Sequence, residues 1–371
     1  PNARRNYAAG LGQLAARSLD DNALDEAETR IADYEAAIEK ATVDRRYARG
    51  AGAHALELRF ILAQRRVDAT TRRDVLRMIV AQAEEDAAMY PRSLDRRTHA
   101  LDTRARLAAL LVNEDSAAAR EVVAGIEEGA QALARDFPDN PSARASVADL
   151  WHRLAYVAKQ DGQVDVAVRY AEVAVAGADA LVAGEENPRV GIWRRYNMRL
   201  SLSDCLVAWG KKAEARATLV KAEALLEMLL EDQKTPDAAD DLRRAYLSHA
   251  VTAHMTDDLS ETFAALVREC LALARAGHDR RSTVQTGVNL ITTLNNRIFL
   301  CLHEGDGTKA LTLAQEAMEI TQAVAGDISD RVIADSLTAN ARSILAAAHN
   351  VSGDPAQARP LLEAALGYAY G

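Results

Sequence analysis

Asp161-Gly162-Gln163-Val164-Asp165-Val166-Ala167-Val168-Arg169-Tyr170-Ala171-Glu172-Val173-Ala174 sets a short polar turn ahead of a stretch in which Ala167, Ala171 and Ala174 fall on one helical stripe. Small side chains at that spacing let a neighbouring helix backbone come close. The unit recurs along the chain. Polar turns stand at Asp20-Asp21, Val67-Asp68, Glu114-Asp115, Asp161-Gly162, Trp209-Gly210, Asp257-Asp258, Gly305-Asp306 and Gly353-Asp354, about 47 residues apart. A second series of breaks lies between them, at Tyr90-Pro91, Phe137-Pro138 with Pro141, Asn187-Pro188 and Thr235-Pro236. Each unit therefore holds two helices and two turns, the helices carrying apolar stripes such as Leu219, Ala222, Leu225, Leu226 and Leu229. The spacing predicts an all-α chain of about eight antiparallel helix pairs. Their approximate bounds are 1–43, 44–90, 91–137, 138–185, 186–234, 235–277, 278–326 and 327–371, forming one solenoid domain over 1–371. A lone hairpin cannot bury its apolar face, so neighbours must stack, and stacking generates a groove. That geometry points to binding rather than catalysis.

Composition agrees. Apolar residues make up 49% of the 371 and charged residues 27%, while 8 Pro, 19 Gly and 5% aromatics leave a core of Ala, Leu and Val. Such a chain favours packed helices over sheets. The net charge of -9 argues against nucleic-acid backbones or anionic membrane surfaces as principal partners. Cys205, Cys270 and Cys301 are too scattered for a disulfide framework or a metal knuckle, which reads as a reducing, cytoplasmic compartment. No apolar run approaches the roughly twenty residues of a membrane span. The chain opens at Pro1 without Met, which raises the expectation of a fragment of a longer protein.

The small-x3-large-x2-small spacing of Ala167-Ala171-Ala174, Ala215-Leu219-Ala222, Ala310-Ala314-Ala317 and Ala358-Leu362-Ala365 resembles the tetratricopeptide (TPR) family, with Ala27 and Ala119 matching less closely. The resemblance implies a right-handed α-α superhelix. A unit of about 47 residues exceeds the family's usual length and implies longer helices. Phe137-Pro138-Asp139-Asn140-Pro141-Ser142-Ala143-Arg144, opening a unit, is similar to the long-unit repeat regions attached to bacterial serine/threonine kinases. That likeness implies a regulatory or substrate-docking module of a larger signalling protein, with a catalytic domain of the same polypeptide as partner. No Gly-rich phosphate loop, catalytic Asp loop or Asp-Phe-Gly occurs in this chain.

Carried over unit by unit, the family's groove positions lie on the first helix of each pair. Early units offer Ala8, Leu11, Ala55 and Leu58, then Asp102; later ones are polar. The fourth unit offers Asp149, His152, Tyr156 and Lys159, the fifth Asn197 and Asp204, and the sixth Ser248, Thr252 and Met255. The seventh places Thr292, Asn295 and Phe299 there, and the eighth Asn340, Ser343 and Asn350. Amide and hydroxyl groups of this kind can meet the backbone of an extended peptide or protein segment. Asn295 and Asn340 are the foremost candidates.

Other features read as structure. Arginine pairs recur at Arg4-Arg5, Arg45-Arg46, Arg96-Arg97, Arg194-Arg195, Arg243-Arg244 and Arg280-Arg281, with single Arg144 and Arg331. Their presence in nearly every unit favours ion pairing between units over a ladder for an acidic ligand. His249 and His254 fall on different helix faces and read as unrelated. Gly305-Asp306-Gly307-Thr308-Lys309 and Gly50-x-Gly52-x-x-Ala55 lack the preceding strand of a nucleotide-binding loop. Glu84-Glu85-Asp86 and Asp240-Asp241 read as solvated faces rather than cation sites. No catalytic residue, metal site or cofactor is expected, and the paired aspartates of a helical diphosphate-processing enzyme sit at or beside breaks.

Overall fold

The computed structural model describes residues 2–20, 23–41, 45–66, 68–181, 188–231, 233, 235–255, 261–328 and 331–367. Asp21, Val67, Asn187, Asp257, Asp258 and the side chains of Arg4, Arg5, Arg45 and Arg46 lie outside the described residues. The described residues form sixteen α-helices and no strand. They divide into two compact units, Pro1–Gly177 and Ala178–Gly371.

In the first unit the hairpins are α1 (Asn2–Asp20) with α2 (Leu24–Ala41), α3 (Arg45–Arg66) with α4 (Ala69–Met89), and α5 (Leu94–Leu111) with α6 (Ser116–Asp136), followed by α7 (Pro141–Gln160) and α8 (Val164–Ala180). The second holds α9 (Pro188–Ala208) with α10 (Lys212–Glu231), α11 (Pro236–His254) with α12 (Glu261–Arg280), α13 (Val284–His303) with α14 (Gly307–Asp327), and α15 (Arg331–Val351) with α16 (Pro355–Gly367).

The breaks work as the sequence chemistry dictates. Gly162, Gly210, Gly305 and Gly353 adopt φ of +75° to +89°, open to a residue without Cβ at low cost. Each ends its helix in the same bonding pattern: the next residue's N–H reaches the carbonyl five back, Gln163 to Ala158, Lys211 to Leu206, Asp306 to Cys301 and Asp354 to His349. New helices are capped by Asp68, Ser93, Asp115, Asn140, Thr235, Thr283 and Asp306, whose side chains accept from an N–H of the first turn. Such a cap contributes about 1 kcal/mol. Pro141 and Pro236 stand at first-turn positions, where no N–H is needed.

Consecutive helices pack along each unit, and first helices also lie against first helices, α1 on α3, α5 on α7, α9 on α11 and α13 on α15. The alanine stripes are the packing surfaces: Ala167, Ala171, Ala174, Ala215, Ala222, Ala310, Ala314 and Ala317 are buried, as are Ala27 and Ala119. Leu362 departs from its predicted place and is 40% exposed, on a face of α16 that no described helix covers. Ala8, Ala55 and Leu58 are core residues rather than groove positions, because α1 and α3 are rotated relative to the reading above.

Several of the recurring arginines are ion-paired, though mostly within a hairpin rather than between hairpins. Arg97 pairs with Asp136 at 2.6 Å, Arg280 with Asp240 at 3.0 Å, and Arg281 with Asp241. Arg96 reaches Asp86 at 2.9 Å, from α5 to α4. Glu84, Glu85 and Asp86 are bound by Arg104, Arg49 and Arg96, so that cluster and Asp240-Asp241 are helix-to-helix contacts and not solvated faces. Exposed pairs of this sort contribute about 0–1 kcal/mol each.

Candidate functional site

The first helices carry every groove candidate, and each unit presents its own set. In the first unit, α7 holds Asp149, His152 and Tyr156. Tyr156 is 47% exposed, while His152 is half-buried with Nδ1 enclosed and unpartnered. Burial pushes the His152 imidazole below the usual histidine range, opposed by the Asp149 carboxylate and reinforced by Arg153. The unfolded chain therefore takes up a proton at higher pH than the folded one. Stability is full above the ordinary histidine pKa and declines as pH falls below it. Acidification from about pH 7.5 to 5.5 is expected to lower the melting temperature of the wild type more than that of His152→Gln, with a slope of at most about 1.4 kcal/mol per pH unit. Equal pH dependence of the two proteins would remove His152 from the account.

In the second unit, α13 carries Thr292, Asn295 and Phe299 and α15 carries Asn340 and Ser343. Thr292 and Asn340 are exposed, Phe299 is 42% exposed, and Asn295 and Ser343 are half-buried. The Thr292 hydroxyl donates to the Val288 carbonyl at 2.9 Å and the Ser343 hydroxyl to the Ala339 carbonyl at 3.0 Å. Both hydroxyls thus spend their proton on their own helix and keep only acceptor capacity. Asn295 differs: its Oδ1 is enclosed and has no hydrogen-bond partner. A buried polar atom left unpaired costs about 1–3 kcal/mol, so it asks for an explanation.

On α9, Asn197 and Asp204 are half-buried, as is Ser248 on α11, whose carbonyl accepts the Thr252 hydroxyl at 3.0 Å. His249, read from the sequence as unrelated to His254, meets Asp204 through Nδ1 at 2.7 Å. The contact crosses between neighbouring first helices and belongs to a series. Glu57 of α3 pairs with Arg106 of α5 at 2.9 Å, and Asp102 of α5 with Arg153 of α7 at 2.9 Å. In each case the earlier helix supplies the acid and the next first helix the base. The signal that finds them is an acid followed by a base roughly one repeat length later.

Nucleophilic chemistry has no support from the thiols. Cys205, Cys270 and Cys301 are buried, and burial pushes the Cys270 and Cys301 thiols upward, away from thiolate. Among the described residues no His/Cys/Asp/Glu group is arranged to hold a metal ion, and no helix is long and apolar enough to cross a membrane.

Solved structures resemble this chain in its backbone. The apo form of RapI matches with a TM-score of 0.50 at 9% identity, covering 98% of this chain and 97% of that one. BtubC from P. vanneervenii gives 0.49 at 15% identity over 67% of this chain and 89% of its own. The apo quorum sensor NprR from B. thuringiensis gives 0.44 at 10% identity over 97% and 98%. No family model and no curated protein matches the sequence. At such identities the likeness speaks for the fold alone. The chain is an all-α, TPR-like helical-repeat protein.

Proposed function

We propose that the chain is a non-catalytic scaffold that binds a protein or extended peptide along the first-helix face of its second unit. The observation that carries this reading is Asn295, an amide with an enclosed, unpartnered Oδ1 on the same helix as exposed Phe299 and Thr292. When the half-buried side chain turns outward, that oxygen accepts from an incoming backbone N–H, and the exposed aromatic ring supplies apolar area one turn along the same helix. Asn197, Asp204, Ser248, Asn340 and Ser343 extend the proposed contact surface along the other first helices of the second unit, and Asp149, His152 and Tyr156 are proposed as a separate contact set on α7 of the first unit.

The test is a pull-down from source-cell lysate with the wild-type chain beside Asn295→Ala combined with Asn340→Ala. Retention of the bound protein is expected to fall about tenfold or more. The melting temperature is expected to hold or rise slightly, because truncating Asn295 removes an unsatisfied buried acceptor. Equal retention by both proteins, or loss of fold in the double variant, would count against the assignment.

A further inference from the structure

Among the described residues the acid-to-base series between first helices stops at α11, and neither the step from α11 to α13 nor that from α13 to α15 carries such a pair. Beyond Asp241, α11 contains no carboxylate, and α13 contains none at all. The cation of α13 is nevertheless buried: Arg297 is 9% exposed, and its Nη1 is enclosed without a hydrogen-bond partner. No described carboxylate pairs with it.

The turn bonds fix which residues are equivalent to Arg297. Ala158, Leu206, Cys301 and His349 each accept the N–H that follows a turn glycine. One helical turn before them stand Leu154, Leu202, Arg297 and Leu345, all buried. Arg297 thus occupies a place that the three other hairpins with a turn glycine fill with leucine. A charge there is disfavoured by desolvation and has no counter-charge among the described residues.

Its surroundings say where a counter-charge can enter. Thr293, one turn earlier, has its Oγ1 3.9 Å from Cys270 Sγ of α12, and Leu300, one turn later, packs with Val251, Phe263 and Val267 of α11 and α12. Arg297 therefore lies on the side of α13 turned toward the preceding hairpin.

We infer that Arg297 is the anchor for a carboxylate carried by the bound segment, an aspartate or glutamate side chain inserted between α11 and α13. The ligand completes at this step the acid-base contact that Glu57–Arg106, Asp102–Arg153 and Asp204–His249 make from within the chain. A guanidinium fork in a desolvated site selects carboxylate by two parallel hydrogen bonds. The inference rests on the binding role proposed above and adds the chemistry of what is bound.

The experiment is selection of a displayed random dodecapeptide library on the full chain, followed by anisotropy titration of the enriched synthetic peptides. Enriched peptides are expected to share an Asp or Glu. Arg297→Leu, which installs the residue of the equivalent positions, is expected to weaken them about tenfold to a hundredfold while the melting temperature holds or rises. Replacing the peptide's acid by Ala should cost the same on the wild type and nothing further on Arg297→Leu. Amidating the peptide C-terminus should change nothing. Peptides that bind without a shared acid, bind Arg297→Leu equally well, or depend on their C-terminal carboxylate overturn the assignment and leave the scaffold role standing. Retention of no peptide would overturn both.

Discussion

Ala314→Glu is expected to unfold the stack formed by α13, α14 and α15. Ala314 is buried at 1% exposure in a core that also contains Leu290, Leu294, Ile298, Ala310, Ala317, Ala341 and Leu345. Glutamate is larger than the alanine it replaces, and none of these core residues carries a cation to pair with its carboxylate. Overpacking costs about 1–3 kcal/mol and an uncompensated buried charge about 3–5 kcal/mol, so the sum reaches at least about 4 kcal/mol. A domain stable by about 5–15 kcal/mol loses much of its margin. In a repeat stack the damage spreads through the neighbouring interfaces, because each hairpin is stabilised by the next. Circular dichroism should show lower helicity and a lower, broader melt, and limited proteolysis should cut within residues 284–351. Ala171→Glu is the corresponding change in the first unit, where Ala171 is equally buried. A soluble variant that melts like the wild type would mean that the buried stripe of α14 has been misassigned.

The second large effect is expected at Gly307, the first residue of α14. A Cβ there would stand 2.6 Å from the backbone nitrogen of Ser352 and 2.7 Å from Ser352 Cα and the Val351 carbonyl carbon. These are main-chain atoms at the end of α15, which cannot swing aside as a side chain would. Gly307→Ala therefore forces α14 and α15 apart, at about 2–4 kcal/mol, or roughly 5–15 °C in melting temperature. Gly326, in the same helix with nothing within 4 Å of its Cβ position, is the control. Gly326→Ala should leave stability unchanged or raise it by about 0.5–1 kcal/mol, since alanine favours the helix. Opposite signs at two glycines of one helix separate steric contact from helix propensity. Equal effects would contradict the close approach.

These two positions show what the sequence discloses. Gly305, Asp306 and Gly307 are legible as a turn because left-handed backbone, helix capping and tight packing each demand a particular small or polar residue. That also excluded a phosphate loop, and Gly50 and Gly52 lie inside α3 rather than after a strand. Alanine spacing located the buried stripes in the same way, since close helix approach leaves few alternatives. Leu362 escaped the reading because spacing defines a stripe without saying whether a neighbour covers it. The first-helix face was harder. Asn340 and Phe299 are exposed where the family pattern put them, but Ala8, Ala55 and Leu58 fell in the core, a rotation of one or two residues being enough to exchange groove for core. His249 and Asp204 are 45 residues apart. Their meeting depends on how two first helices align, and its trace in the sequence is an acid followed by a base about one repeat length later rather than any short motif. Arg297 was invisible as an anomaly, because one arginine among forty-five basic residues becomes unusual only when its burial and the leucines at equivalent positions are known.

The central claim is that the first-helix face of the second unit is where a partner sits. Site-specific photocrosslinking tests it most directly, with a benzophenone side chain placed at Phe299 in one protein and at Val220 of α10, an exposed second-helix position, in another. Irradiated in source-cell lysate, the Phe299 probe is expected to capture a discrete protein or peptide that the Asn295/Asn340 double variant no longer captures, while the Val220 probe captures none. Capture of the same species from Val220, or no capture from Phe299, would contradict the account.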